Sequence, residues 1–411
     1  MPPARPIPPP VTRSEAMASA TPMETLDGFA REKLDALEAQ ALRRRLVETD
    51  RREGAIAFRE GRRLVSFCCN DYLNLSQHPD VKRAAVEATG KYGTGSGASR
   101  LVSGNHPLFG ELERRLADWK QTEDCVVFGS GYMANMGIIP SLVREGDLII
   151  ADELSHACLL SGSKLSGARV AIFRHNDIAH LEELLGAHRG GAKHCLILTD
   201  GIFSMDGDAA PVEALAALAA QHDAWLMTDD AHGIGVVGHE GRGSSFMGER
   251  KAAVPLQMGT LSKAVGGYGG YLCASAPVVD LIRTRARTLI YSTGLPPAAV
   301  AASIAALDFI RGNPDYCKRP VEKARSFTRA LGLADPVSPI VPLILGDAEV
   351  TLAASALLEA EGYLVTGIRP PTVPEGTARL RFTFTAEHDD ADIARLATLV
   401  RERIIQRRAA E

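Results

Sequence analysis

Seven short apolar runs, each four or five residues long, alternate with longer helical patterns between residues 125 and 273. They are Cys125–Phe128, Leu148–Ala151, Arg169–Phe173, Cys195–Thr199, Trp225–Thr228, Leu256–Gly259 and Gly270–Cys273. This alternation is what a mostly parallel sheet wrapped by helices requires, so the chain reads as α/β with seven central strands. Ligands of such sheets gather beyond the carboxyl ends of the strands. The residues there are polar. Asp229, Asp230, Ala231, His232 and Gly233 follow one run; Asp200, Gly201 and then Ser204 follow another; Thr260, Ser262 and Lys263 follow a third. Three adjacent exits thus carry acid, base and amine.

At 411 residues and a net charge of −4, the chain accommodates one large domain and a smaller one. The longest basic block is Arg43-Arg44-Arg45 and no apolar run approaches bilayer length, which argues against nucleic-acid and membrane partners. Seven cysteines without a Cys-x-x-Cys pair indicate neither a disulfide framework nor a zinc site, and point to a reducing cytoplasm. Residues 1–22 form a Pro-rich head expected to be disordered. An N-terminal region over 23–70 follows. Its helix, with Leu34, Leu37 and Ala41 at helical spacing, is expected to end near Glu53-Gly54, and a hairpin over Ala55–Phe67 to turn at Glu60-Gly61. The large domain is assigned to 71–315 and a small C-terminal domain to 316–411.

The set of strand exits suits one cofactor. Pyridoxal phosphate (PLP) needs a lysine amine for its aldehyde, a carboxylate to keep its ring nitrogen protonated, donors to its phenolic oxygen, and amides or hydroxyls for its phosphate. Lys263, ahead of Ala264-Val265-Gly266-Gly267, supplies the amine and, once neutral, a general base. Asp229 supplies the carboxylate. Gly129 to Asn135 follow a strand and open a helix whose N-terminus, at Gly131 and Tyr132, can hold a phosphate, with Thr260 adding a hydroxyl. His156 is placed to stack on the ring, and Ser204 and His232 to contact the phenolic oxygen.

Each residue alone has a plainer reading: Asp229 as a helix cap, Lys263 as a solvated turn residue, either histidine as a hydrogen-bonded structural one. Joint placement at neighbouring strand ends is what favours the cofactor. Gly93-Thr94-Gly95-Ser96-Gly97-Ala98 satisfies a relaxed dinucleotide fingerprint, but it follows the helical run Val81–Tyr92 and lacks the strand before it. No metal is expected, since no second histidine stands at helical spacing from His232.

Six stretches together resemble the α-oxoamine synthases, a branch of the fold-type I PLP enzymes. They are Asn70-Asp71-Tyr72-Leu73, Gly93 to Gly97, Ser155-His156-Ala157, Phe203 to Asp208, Asp229 to Gly233 and Thr260 to Lys263. The resemblance runs from about Ala41 to His388, with Ala98 departing where relatives commonly carry glycine. It implies a fold-type I PLP transferase, with a small α+β domain built from the C-terminus and the N-terminal segment, working as a homodimer. The implied activity condenses an amino acid with an acyl thioester and loses carbon dioxide. Ile368 to Arg381, with its Arg369-Pro370-Pro371-Thr372 run, and Leu289 to Thr293 resemble the biotin-pathway branch. That branch joins L-alanine to a pimeloyl thioester carried on coenzyme A or an acyl carrier protein. Aminolevulinate synthases and glycine C-acetyltransferases (2-amino-3-ketobutyrate ligases) share the core and are the alternatives. By the same resemblance Arg381 grips the amino-acid carboxylate, while Arg43, Asn70, His156 and Thr372 line the substrate site.

Overall fold

The structure, a computed structural model, describes residues 25–406. The Pro-rich head lies outside the described residues. Two units divide between Val47 and Glu48. The first contains helix Leu26–Ala39, opened by Thr25, whose hydroxyl accepts from the Gly28 amide at 3.1 Å. The helix does not reach Gly54 as its spacing suggests. It closes at Ala39 because Ala41 takes a positive φ of 54° and the Leu42 amide turns back to the Leu37 carbonyl at 2.8 Å, a left-handed cap.

The second unit begins with strands β1 (Asp50–Arg51), β2 (Ile56–Arg59) and β3 (Arg62–Ser66). The hairpin between β2 and β3 turns at Glu60 and Gly61, with φ of 49° and 76°, the left-handed pair that matches strand twist. The central sheet follows: β4 (Asp124–Phe128), β5 (Leu148–Asp152), β6 (Arg169–Phe173), β7 (Cys195–Asp200), β8 (Trp225–Asp229), β9 (Leu256–Thr260) and β10 (Gly270–Ala274). Its spatial order is β4-β10-β9-β8-β7-β5-β6, with β10 antiparallel to both neighbours and the rest parallel. Five of these strands run one residue past the apolar run, and in four of them that residue is polar: Asp152, Asp200, Asp229 and Thr260.

Side-chain alternation along the strands feeds both faces. In β7, Cys195 and Ile197 enter one apolar cluster while Leu196 and Leu198 enter another on the opposite face. Both faces are covered by helices, so the strands carry almost no polar residue before their ends. Full burial of each such leucine or isoleucine is worth about 1.5–3 kcal/mol, enough to hold the register against slippage.

The C-terminal part adds β11 (Ile340–Gly346), β12 (Tyr363–Leu364), β13 (Thr366–Ile368) and β14 (Ala378–Thr383). β12 pairs in parallel with β3, and β14 lies between β11 and β13. Buried on all its residues, β14 still carries two arginines, Arg379 and Arg381. Among the described residues no helix is long and apolar enough to cross a membrane.

Near the end of this part His388 is fully enclosed, stacked on Phe67 at 4.1 Å between ring centres. Nε2 faces the Ser66 carbonyl at 3.0 Å and Nδ1 accepts from the Thr385 amide at 2.8 Å, which only a neutral ring can satisfy. Burial is the main cause that pushes its pKa down, to about 4. Because the folded value lies below the unfolded one, stability should fall as pH drops from about 6.5 toward 4 and level off below, by at most about 3 kcal/mol. Chemical denaturation across that range should show this loss in the native chain and a flatter acid limb in His388→Gln; equal slopes would assign acid sensitivity elsewhere.

Candidate active site

The carboxyl ends of β7, β8 and β9, which are neighbours, bring together Asp200, Asp229, His232 and Lys263. Asp229 is the last residue of β8 and is buried. Its Oδ2 accepts from Asn135 Nδ2 at 2.8 Å and its Oδ1 from the Ala231 amide at 2.9 Å. Those donors leave the carboxylate fixed and still able to accept one more proton donor along its rim.

Lys263 Nζ lies 2.6 Å from His232 Nε2. Desolvation in the cleft is the largest influence on the amine and pushes its pKa down to about 8, with Arg381 acting the same way and Asp229 and Asp200 opposing. His232 is held well below the ordinary histidine range, first by burial and then by the cations of Lys263 and Arg381. The pair therefore consists of a neutral imidazole and an amine that sheds its proton near neutrality.

The helix Gly131–Leu142 starts at this same edge, capped by Ser130, whose hydroxyl accepts from the Met133 amide at 3.2 Å. Its first-turn amides have no carbonyl of the preceding turn to pair with. Gly270 permits the close approach: a Cβ there would fall 2.6 Å from the Ser130 carbonyl oxygen. Thr260 stands opposite Gly131, its hydroxyl donating to the Gly269 carbonyl at 2.8 Å. Tyr132 is exposed in the first turn.

His156 caps the helix Ala157–Ser166 after β5, and its ring is exposed over the cleft. The His156 amide donates to Asp200 Oδ2 at 2.8 Å, and Nδ1 lies 2.7 Å from the Cys158 thiol. Burial, and then the charge of Asp229, drive the Asp200 pKa well upward. Across the cleft Arg381 is buried on β14, with Nε donating to the Ser204 carbonyl at 2.5 Å and two further N–H groups donating to Asn70 Oδ1 at 3.2 and 3.3 Å. Ser204 thus enters through its carbonyl. Arg379 makes a parallel contact, pairing with Asp206 of the same loop.

Two further expected residues make local contacts of their own. Thr372 is exposed in the turn before β14, its amide donating to the Arg369 carbonyl at 3.1 Å. Arg43 belongs to the N-terminal unit, where it pairs with Glu38 at 3.3 Å. Conversely, Tyr72, Asn135, Cys158 and Asp200 touch site residues directly without having been assigned a role from the sequence. Tyr72 stands inside the motif Asn70 to Leu73, and Asn135 one turn into the phosphate-type helix, so position within those motifs was the available signal.

The arrangement suits PLP. The cleft offers a depressed amine, a buried carboxylate with a free edge, an exposed imidazole face and an open helix N-terminus. Asn135 Oδ1 and Ser155 Oγ are buried without a hydrogen-bond partner, polar atoms of the kind a bound polar group satisfies. The residues fit the cofactor.

Comparison with known proteins agrees. The family model for aminotransferase class I and II matches residues 62–400. The 8-amino-7-oxononanoate synthase of Methylocella silvestris (strain DSM 15510) is 62% identical over 344 residues, covering 84% of this chain and 98% of that protein. The chain belongs to the class I and II aminotransferase family, in its α-oxoamine synthase branch. The 8-amino-7-oxononanoate synthase of Beijerinckia indica subsp. indica is 58% identical over 378 residues, 92% of this chain and 98% of its own. Among solved structures, a serine palmitoyltransferase variant from S. paucimobilis with bound PLP superposes with a TM-score of 0.85 at 29% identity, over 92% of this chain and 97% of that one. The fold-type I architecture is thereby shown.

The lowered lysine gives a direct check. In the cofactor-free protein, acylation of Lys263 by an amine-directed reagent, followed by peptide mass mapping, should rise with a midpoint near pH 8. A midpoint above about 10, as for a solvated lysine, would contradict the electrostatics of the cleft.

Proposed function

We propose that this protein is an 8-amino-7-oxononanoate synthase, condensing L-alanine with a pimeloyl thioester and releasing carbon dioxide and the thiol. The observation that carries this reading is one cleft holding Lys263, Asp229 and His232 opposite the buried Arg381, in a chain 58–62% identical to proteins of that name. The thioester is carried on coenzyme A or on an acyl carrier protein.

PLP, when bound, supplies the aldehyde that captures the amino acid and a ring that accepts the electron pair left as the α-proton departs. The chain's own residues do the rest. Lys263 Nζ holds the aldehyde at rest and, once released, takes the α-proton, for which a pKa of about 8 suits neutral pH. Asp229 keeps a proton on the ring nitrogen, and Asn135 and the Ala231 amide hold Asp229 in position. The His156 ring would cover one face of the cofactor ring, and His232 would reach its phenolic oxygen. Gly131, Tyr132 and Thr260 would hold the phosphate.

Arg381 grips the alanine carboxylate with a two-pronged fork, its orientation maintained by the Ser204 carbonyl and Asn70. Asn70, His156 and Thr372 complete the substrate site. A homodimer in the cytoplasm is part of the same reading. Support for the dimer comes from Leu101, Val102 and Tyr291, which are exposed on two segments joined by the Ser99–Thr293 bridge.

Single turnover with pimeloyl-coenzyme A and alanine, glycine or serine, with the product identified by mass, decides the substrate. Alanine-dependent 8-amino-7-oxononanoate is expected, with no product in Lys263→Ala and KM for alanine raised roughly a hundred-fold in Arg381→Ala. Product from glycine with a shorter acyl thioester would reassign the chain to a sister activity of the same branch.

A further inference from the structure

Tyr72 is fully buried at the centre of the site, yet the reaction just described gives it no part. Its hydroxyl stands 2.7 Å from His232 Nδ1 and 3.3 Å from Asn70 Oδ1. A phenol has one proton, so only one of these contacts can be a donation from Tyr72. Asn70 Oδ1 already accepts two N–H groups of Arg381, at 3.2 and 3.3 Å, and an amide oxygen has two lone pairs. The Arg381 guanidinium also bears on the Tyr72 oxygen, and arginine can only donate. The Tyr72 proton is therefore left to the shorter contact, His232 Nδ1.

We propose that Tyr72 is a positioning residue that fixes the single proton of His232 on Nε2, the nitrogen facing Lys263. The inference rests on the functional reading above. A neutral imidazole that accepts at Nδ1 must carry its hydrogen at Nε2. Once Lys263 has lost its proton, burial and the cation of Arg381 still hold the ring neutral. Above about pH 8, where Lys263 has shed its proton, this N–H points at the Nζ lone pair 2.6 Å away. With PLP in the cleft, the same N–H is the donor available to the phenolic oxygen. Tyr72 thus decides whether His232 meets that oxygen as a donor or as an acceptor, without touching it.

The groups facing His232 and Lys263 are Tyr72, Asp229, Asp200, His156, Cys158 and Arg381, and none of the others can donate to Nδ1 at the distances found. Tyr72→Phe removes the donor and keeps the ring. Histidine-selective 15N NMR of the native cofactor-free protein at about pH 9, where Lys263 is neutral, assigned with His232→Gln, should show His232 with Nε2 protonated and Nδ1 bare. In PLP-loaded Tyr72→Phe, the pH midpoint of the visible absorbance should rise by about one unit and kcat should fall about ten-fold, with KM for alanine nearly unchanged. A protonated Nδ1 in the native protein at that pH would overturn the assignment whether or not the variant folds. An unmoved midpoint in a folded variant would also overturn it, leaving Tyr72 a packing residue. The NMR result does not depend on which product the enzyme makes, so failure of the alanine reaction is a separate outcome.

Discussion

The site depends on the register of the parallel strands. Asp200 and Asp229 are paired residues at the ends of β7 and β8, and Asp229 sits beside Met258 on β9, two residues before Thr260. A slip of one residue would turn every side chain to the opposite face and send these groups into the helices instead of the cleft. What prevents the slip is the apolar filling of both faces, from Leu148 and Ile150 on one side to Ile149 and Ala151 on the other. The core is thus the device that aligns the chemistry, and the catalytic groups occupy the first positions at which the strands escape it.

Escape from the core also sets the electrostatics. Asp230, one residue beyond Asp229, is wholly buried and is neutralised by Lys120 at 3.0 Å, with the Ser244 amide donating to its other oxygen. Removing one partner of such a pair leaves an uncompensated buried charge, typically at a cost of 3–5 kcal/mol, so Lys120 and Asp230 stand or fall together. With Asp230 occupied by its own partner, Asp229 is available to the cleft. There the competition is between desolvation, which lowers Lys263, and the two carboxyl groups of Asp229 and Asp200, which raise it; desolvation wins. An ordinary lysine is thereby converted into an amine that is neutral for part of the time at physiological pH.

Much of this was legible beforehand because strand ends are local. The seven central strands, the hairpin turn at Glu60-Gly61 and the exits carrying Asp229, His232 and Lys263 follow from patterns a few residues wide. The residues that hold those exits in place do not. Asn135 reaches Asp229 across 94 positions and Tyr72 reaches His232 across 160, contacts created only when the helix and loop pack on the sheet. The helix after Thr25 ends well short of the expected Glu53-Gly54, because the left-handed cap at Ala41 has no glycine to announce it. Arg381 was identified by motif alone; its burial against Ser204 and Asn70 is a property of the folded chain.

The central claim is that the three strand ends serve one PLP molecule whose aldehyde is held by Lys263. Borohydride reduction of the PLP-loaded protein, followed by proteolysis and mass spectrometry, tests it most directly. A phosphopyridoxyl group on the peptide containing Lys263, and on no other lysine, is the predicted result. Modification of a different lysine, such as the buried Lys120 or the neighbouring Lys251, or no modification at all, would contradict it.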